Sequence, residues 1–97
     1  MKSSIESGKL QTIQGGTTIA DGISVKTPGK LTFDIIKDGI DQILTENDAD
    51  IIKTMFLLME RSKNVIEPAG AIGLAYLLSN KPAPGKKSCA NFMWWKR

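Results

Sequence analysis

Apolar positions in residues 47–62 fall into two neighbouring helical stripes. Ile51, Met55 and Leu58 form one, and Ile52, Phe56 and Met59 form the other. Spacings of three and four residues predict an α-helix with an apolar face wide enough to be covered on more than one side. Asn47 is a good N-cap, and Asp50, three residues on, gives an acidic variant of the capping box. Asp48 and Asp50 also suit the positive end of the helix dipole. Lys53, Glu60, Arg61 and Lys63 supply the solvated remainder. A second helix is expected from near Pro68, a residue tolerated in a first turn, to position 77 or 78. Its Ala69, Gly70, Ala71, Gly73 and Ala75 permit close approach to a sheet or another helix.

The remaining pattern is weaker. Residues 1–7 predict a short helix closed by Gly8. Residues 10–14 mix apolar and polar side chains as an edge strand would, before the Gly15-Gly16 break. Residues 19–30 read as an extended, turn-rich segment ending at Pro28-Gly29. Thr32 is expected to cap a short helix running to Asp38, with Phe33, Ile36 and Lys37 on one side and Gly39 as its stop. Residues 40–45 form a second strand candidate around Ile43 and Leu44. Residues 80–85, with two prolines, predict a loop. The two longer helices carry more apolar surface than they can bury against each other in 97 residues. That imbalance predicts an α/β class in which this chain is a helix-rich piece with one or two short strands.

Composition narrows the function classes. An apolar fraction of 41% without long polar tracts argues against wholesale disorder. The net charge of +3 is modest and is carried partly by Lys86, Lys87, Lys96 and Arg97. No basic stripe with interleaved aromatics precedes Lys86, so no nucleic-acid partner is expected. Cys89 stands alone, which excludes an internal disulfide and fits a reducing, cytoplasmic setting. With no histidine in the chain, neither a zinc site, nor a Ser-His-Asp triad, nor a histidine-activated cysteine is expected. Residues 1–7 lack the apolar core of a signal peptide, and the apolar runs near 55–59 and 69–78 are too short or interrupted to span a bilayer. The expectation is a soluble chain with no membrane partner.

Two positions are candidates for chemistry. In Thr18-Ile19-Ala20-Asp21-Gly22-Ile23-Ser24-Val25-Lys26, the Asp-Gly pair predicts a tight bend between apolar arms. There glycine supplies positive φ or lets backbone approach a ligand closely. Glu67 stands directly before the small-residue helix, in Val65-Ile66-Glu67-Pro68-Ala69-Gly70-Ala71. A carboxylate there is either a helix-start acid satisfied by backbone amides or a group that orients a bound cofactor. Met55, Phe56 and Met59 read as core packing. Gly15-Gly16 lacks the strand-to-helix context and spacing of a phosphate-binding loop.

These motifs, in this order, resemble the carboxy-terminal part of the catalytic domain of the threonine ammonia-lyase (threonine dehydratase) and serine racemase family, pyridoxal-phosphate enzymes of fold type II. The landmarks are Thr18 to Gly22, Val25-Lys26, Pro28-Gly29, Leu31-Thr32-Phe33, the run from Leu57 to Lys63, and Ile66-Glu67-Pro68-Ala69-Gly70-Ala71. The resemblance implies pyridoxal 5′-phosphate as cofactor and a small amino-acid substrate. It implies β-elimination to a 2-oxo acid and ammonia, with Gly22 and Glu67 beside the cofactor ring. It places the family's cofactor-binding lysine and its serine- and glycine-rich phosphate cup in an amino-terminal region that this chain does not match. No catalytic residue and no metal ligand is therefore carried over, and the chain alone is expected neither to hold the cofactor nor to react. The alternative is a non-enzymatic module that associates with itself or with a full-length relative. Residues 1–85 are read as the partial catalytic domain. Residues 86–97, ending in Phe92-Met93-Trp94-Trp95-Lys96-Arg97, are read as a divergent basic and aromatic tail.

Overall fold

The computed structural model describes residues 1–81 and 84–91. It contains four α-helices among the described residues: α1 Lys2–Ser7, α2 Lys30–Ile36, α3 Asp48–Ser62 and α4 Pro68–Ser79. A 3-10 turn, Asp21–Ile23, stands between α1 and α2. The chain separates into two units: Met1–Thr17 with Ser24–Leu44, and Thr18–Ile23 with the chain from Thr45 on.

The second unit holds the main core, built as the hydrophobic pattern requires. Ile51 is 1% exposed and packs with Ala20, Ile66, Ala71 and Ala75, while Ile19, Met55, Leu58, Ala69 and Ile72 lie against this cluster. The first apolar stripe of α3 thus faces α4 through small residues, which let the two backbones come close. The second stripe does not join this core: Ile52, Phe56 and Met59 are exposed, Phe56 by 66%. Thr54 is also buried. Its hydroxyl donates to the Asp50 carbonyl at 2.8 Å, so its polar atom is satisfied within the helix.

Both ends of α3 are defined by local chemistry. The Asn47 side chain accepts from the Asp50 amide at 2.9 Å. The return bond of the capping box takes another form: the Asn47 side-chain amide donates to the Asp50 carboxylate at 2.9 Å, and the Asn47 backbone amide donates to Glu46. At the other end Lys63 adopts the left-handed conformation at φ 60°, and the Asn64 amide reaches back to the Leu58 carbonyl at 3.4 Å. α4 begins at Pro68, as expected, with Glu67 in the N-cap position. Near its middle, a side chain on Gly73 would lie 3.3 Å from the Ala90 methyl, so residues near 90 run close along α4.

In the first unit, α1 ends at Gly8 in the left-handed region at φ 74°, as expected. The buried Ser4 hydroxyl accepts the Gln11 amide at 2.8 Å. α2 begins two residues before the expected Thr32 cap, with Gly29 as N-cap, and residues 37–39 continue it only as a turn. The buried Phe33 is its anchor, and the Lys37 ammonium lies 5.9 Å from that ring.

The two expected strands are absent from the described residues. Near positions 10–14, one backbone bond from the Ile13 amide to the Lys26 carbonyl, at 3.0 Å, and a Thr12–Thr27 hydroxyl contact at 2.7 Å join two extended segments. One bond is not a ladder. Residues 40–45 likewise form no strand, and Ile40 and Leu44 remain exposed. Part of the expected 80–85 loop, Pro82 and Ala83, and the end of the tail, including Trp94-Trp95, lie outside the described residues. No helix among the described residues is long and apolar enough to cross a membrane.

Candidate functional site

The second unit brings both candidate residues to the start of α4. The Ile23 amide donates to the Ala20 carbonyl at 3.2 Å, closing the Asp21–Ile23 turn. Gly22 does not have positive φ, so the expected conformational reason for glycine does not apply. Space is the reason instead. A Cβ at this position would stand 3.3 Å from the Ala69 methyl and 3.7 Å from the Glu67 carboxylate oxygen Oε1. Nor is the whole bend buried: Ala20 is a core residue, whereas residues 21–26 are exposed.

Glu67 is half-buried, and its side chain makes no capping bond to α4. The backbone does the local work, the Gly70 amide donating to the Glu67 carbonyl at 3.0 Å. The helix-start reading, a carboxylate satisfied by amides, is therefore not what holds this side chain. A Cβ at Gly22 would stand in ordinary van der Waals contact with Glu67 Oε1, so the tight approach at this turn is to Ala69.

Two hydrogen-bonded positions beside the turn were not legible as a pair in the sequence. The Thr18 hydroxyl donates to Asp48 Oδ1 at 2.6 Å, and the Ile19 amide donates to Asp48 Oδ2 at 3.2 Å. Thr18 Oγ1 also accepts the Ala20 amide at 3.2 Å. Asp48 thus tethers the segment leading into the Gly22 turn to the first turn of α3. Thirty residues separate the partners, and no local spacing rule connects them.

Beside this turn lies an apolar groove of about 260 Å³, lined by Ile19, Ile52, Met55, Phe56, Met59 and Pro68. Ile19 and Pro68 are close in sequence to Gly22 and Glu67, so the groove adjoins the candidate site. The expectation that Met55, Phe56 and Met59 are core holds only in part, because Phe56 and Met59 are exposed walls of this groove.

At the start of α3, hydrogen bonding from the Ser79 hydroxyl, then from Glu46 and Asn47, holds the Asp50 carboxyl below its ordinary range. Ser79 has a single hydroxyl proton, and it points to the Ala75 carbonyl at 3.0 Å. The Asn47 amide, 2.9 Å from Asp50 Oδ2, is accordingly the firmer donor. Among the described residues no group of acidic or sulfur side chains forms a metal site.

The arrangement fits one side of a flat, partly apolar ligand. It offers backbone without a side chain at Gly22, a carboxylate at Glu67 not consumed by capping, and aliphatic surface at Ile19 and Pro68. None of these residues is a lysine, so they provide no amine for covalent attachment.

Solved structures with a similar arrangement of chain include a threonine deaminase, a serine racemase and a pyridoxal 5′-phosphate-dependent aspartate racemase. A threonine deaminase from T.th. superposes with a TM-score of 0.76 at 35% identity, over 81% of this chain and 29% of that one. Maize serine racemase gives 0.74 at 36% identity, over 82% and 25%. A sequence model of the pyridoxal-phosphate dependent enzyme family matches residues 1–92, and the chain belongs to that family. It is 39% identical over 87 residues to an L-threonine ammonia-lyase of Thermotoga maritima, covering 90% of this chain and 22% of the relative. It is 40% identical over 81 residues to the catabolic L-threonine dehydratase of Escherichia coli K12, covering 84% and 25%. The chain thus spans about a quarter of the length of the curated relatives it matches.

Proposed function

We propose that this chain is the ring-side wall of a pyridoxal-phosphate dependent threonine or serine ammonia-lyase of α/β class, cytoplasmic and acting on a small amino acid. The observation that carries this reading is the Gly22–Glu67 juxtaposition, within a segment whose relatives are named threonine ammonia-lyases and dehydratases. When bound, the cofactor supplies the electron sink for β-elimination, which releases a 2-oxo acid and ammonia.

The chain's own residues have supporting parts. Gly22 offers backbone without a side chain to the flat face of the ring, and the missing side chain lets the turn close against Ala69. The Glu67 carboxylate orients the ring edge, and Ile19 and Pro68 keep water from that side. Nothing among them anchors the ring covalently. The 97-residue polypeptide by itself therefore neither retains the cofactor nor turns over, with residues 1–85 acting as the enzyme-like part and 86–97 as a divergent tail.

The test is direct. Purified polypeptide, incubated with pyridoxal 5′-phosphate and L-threonine or L-serine, should release no ammonia above a cofactor-only control. It should also yield no specific pyridoxyl-lysine adduct after borohydride reduction. Threonine-dependent ammonia release together with one adducted lysine would overturn the claim of inactivity.

The exposed apolar groove favours a second reading, in which the chain associates with a full-length relative or with itself. Co-expression with a tagged full-length ammonia-lyase separates the two. Stable co-purification supports association, and activity appearing only in that mixture joins the two readings.

A further inference from the structure

We propose that Thr18 and Asp48 are positioning residues: a two-bond latch that holds the Gly22 turn at the Glu67 end of α4. The significance of that position rests on the cofactor-wall reading above; the latch itself does not.

The Asp48 carboxylate uses both oxygens on one short segment, Oδ1 for the Thr18 hydroxyl at 2.6 Å and Oδ2 for the Ile19 amide at 3.2 Å. The short first bond is that of a hydroxyl donating to a charged acceptor. Having given its proton to Asp48, Thr18 Oγ1 turns its lone pairs to the Ala20 amide at 3.2 Å. Two successive backbone amides, of Ile19 and Ala20, are thereby satisfied by side chains immediately before the turn. The Ala20 carbonyl then accepts the Ile23 amide at 3.2 Å and closes it.

The carboxylate is well placed for this work. Asp48 is the first residue of α3, where the helix dipole favours a negative charge. It is half-buried, and Ala20 beyond it is in the core, so water competes poorly for these bonds. The Asp21–Ile23 turn is itself exposed and has only three residues. Without the latch, one backbone bond and the packing of Ala20 and Gly22 against α4 would define it. The gap at Gly22 is narrow enough that a methyl group there would meet Ala69 at 3.3 Å, so a loose turn would not keep it.

The test uses the whole polypeptide and amide hydrogen exchange read by NMR. Asp48→Ala and Thr18→Val should each speed exchange at Ile23 about tenfold, roughly the factor one net hydrogen bond supplies. Interior α3 amides such as Leu58 should stay within about twofold under that local opening. Thr18→Ser, which keeps the hydroxyl, should remain near the parent. The nuclear Overhauser contact between the Gly22 α-protons and the Ala69 methyl should be lost in the first two variants and kept in the third. Equal acceleration at Ile23 and throughout α3 would show a merely global role and overturn the latch, as would no change at Ile23. The cofactor-wall reading is tested apart from this, by segment exchange into an active relative. A latch that passes while that exchange fails leaves the turn fixed and removes its link to the cofactor.

Discussion

α3 and α4 pack against each other, yet they are specified in opposite ways. α3 carries its instructions at its ends and on its faces: an asparagine cap, acidic first-turn residues, a left-handed closing residue, and one stripe turned to the core. α4 carries almost none of these. It has no side-chain cap at its N-terminus and no charged residue in its first or last turn, and it is apolar or small nearly all round. Its position is set by contact, with Ala71 and Ala75 at 0% exposure against α3. A helix of the first kind is stabilised by residues that can be deleted one at a time. A helix of the second kind is stabilised by the absence of bulk.

The sharpest way to break that contrast is at the shared core. Ile51→Ala on α3 should cost about 2–5 kcal/mol, the range for truncating a buried aliphatic side chain. In a unit this small, urea denaturation should show a much lower midpoint or no cooperative transition. Enlarging α4 should be nearly as damaging. Ala71→Leu is expected to cost about 1–3 kcal/mol through overpacking, whereas the same change at an exposed α3 position, Lys53→Leu, should leave the midpoint almost unmoved. If Ala71→Leu were harmless, contact would not be what positions α4.

Capping effects come next, and N-terminal side-chain capping should matter on α3 but not on α4. Asn47→Ala removes the bond to the Asp50 amide and should cost about 1 kcal/mol. Lys63→Gly relieves a left-handed non-glycine residue and should stabilise by about 0.5–1 kcal/mol. Thermal denaturation followed by circular dichroism checks both signs.

The smallest effect is electrostatic. The Asp50 carboxyl is held below its ordinary range in the folded chain, as is Asp34 through its bond to Lys30. A depressed folded value means stability that is complete above the unfolded carboxylate value of about 4 and is lost as pH falls below it. Asp50→Asn should flatten that acid limb slightly. An unchanged acid limb would show that Asp50 is too well solvated to matter.

The contrast also explains what could be read in advance. α3 was legible from Asn47 to Ser62 because caps and stripes are local signals, and the start of α4 was marked by Pro68. The strands expected at 10–14 and 40–45 were misread because a strand depends on a ladder partner, and propensity carries no information about one. The start of α2 was misplaced because Thr32 has a good capping side chain, while the chain uses Gly29 and needs no side-chain bond there. At the candidate site, Gly22 and Glu67 were marked by their local setting and then by resemblance, and the physical reason for Gly22 proved to be space rather than φ. The Thr18–Asp48 pair was invisible because it links positions thirty residues apart through side chains with many possible local uses.

The central claim is that the segment bearing Gly22 and Glu67 supplies a working wall for the cofactor ring. Segment exchange measures it directly: the matching stretch of the Thermotoga maritima L-threonine ammonia-lyase is replaced by this chain's residues, and ammonia release from L-threonine is followed. The chimaera should be active, and Gly22→Val within it should abolish turnover while the fold persists by circular dichroism. A folded, cofactor-loaded chimaera that releases no ammonia, or one indifferent to Gly22→Val, would contradict the account.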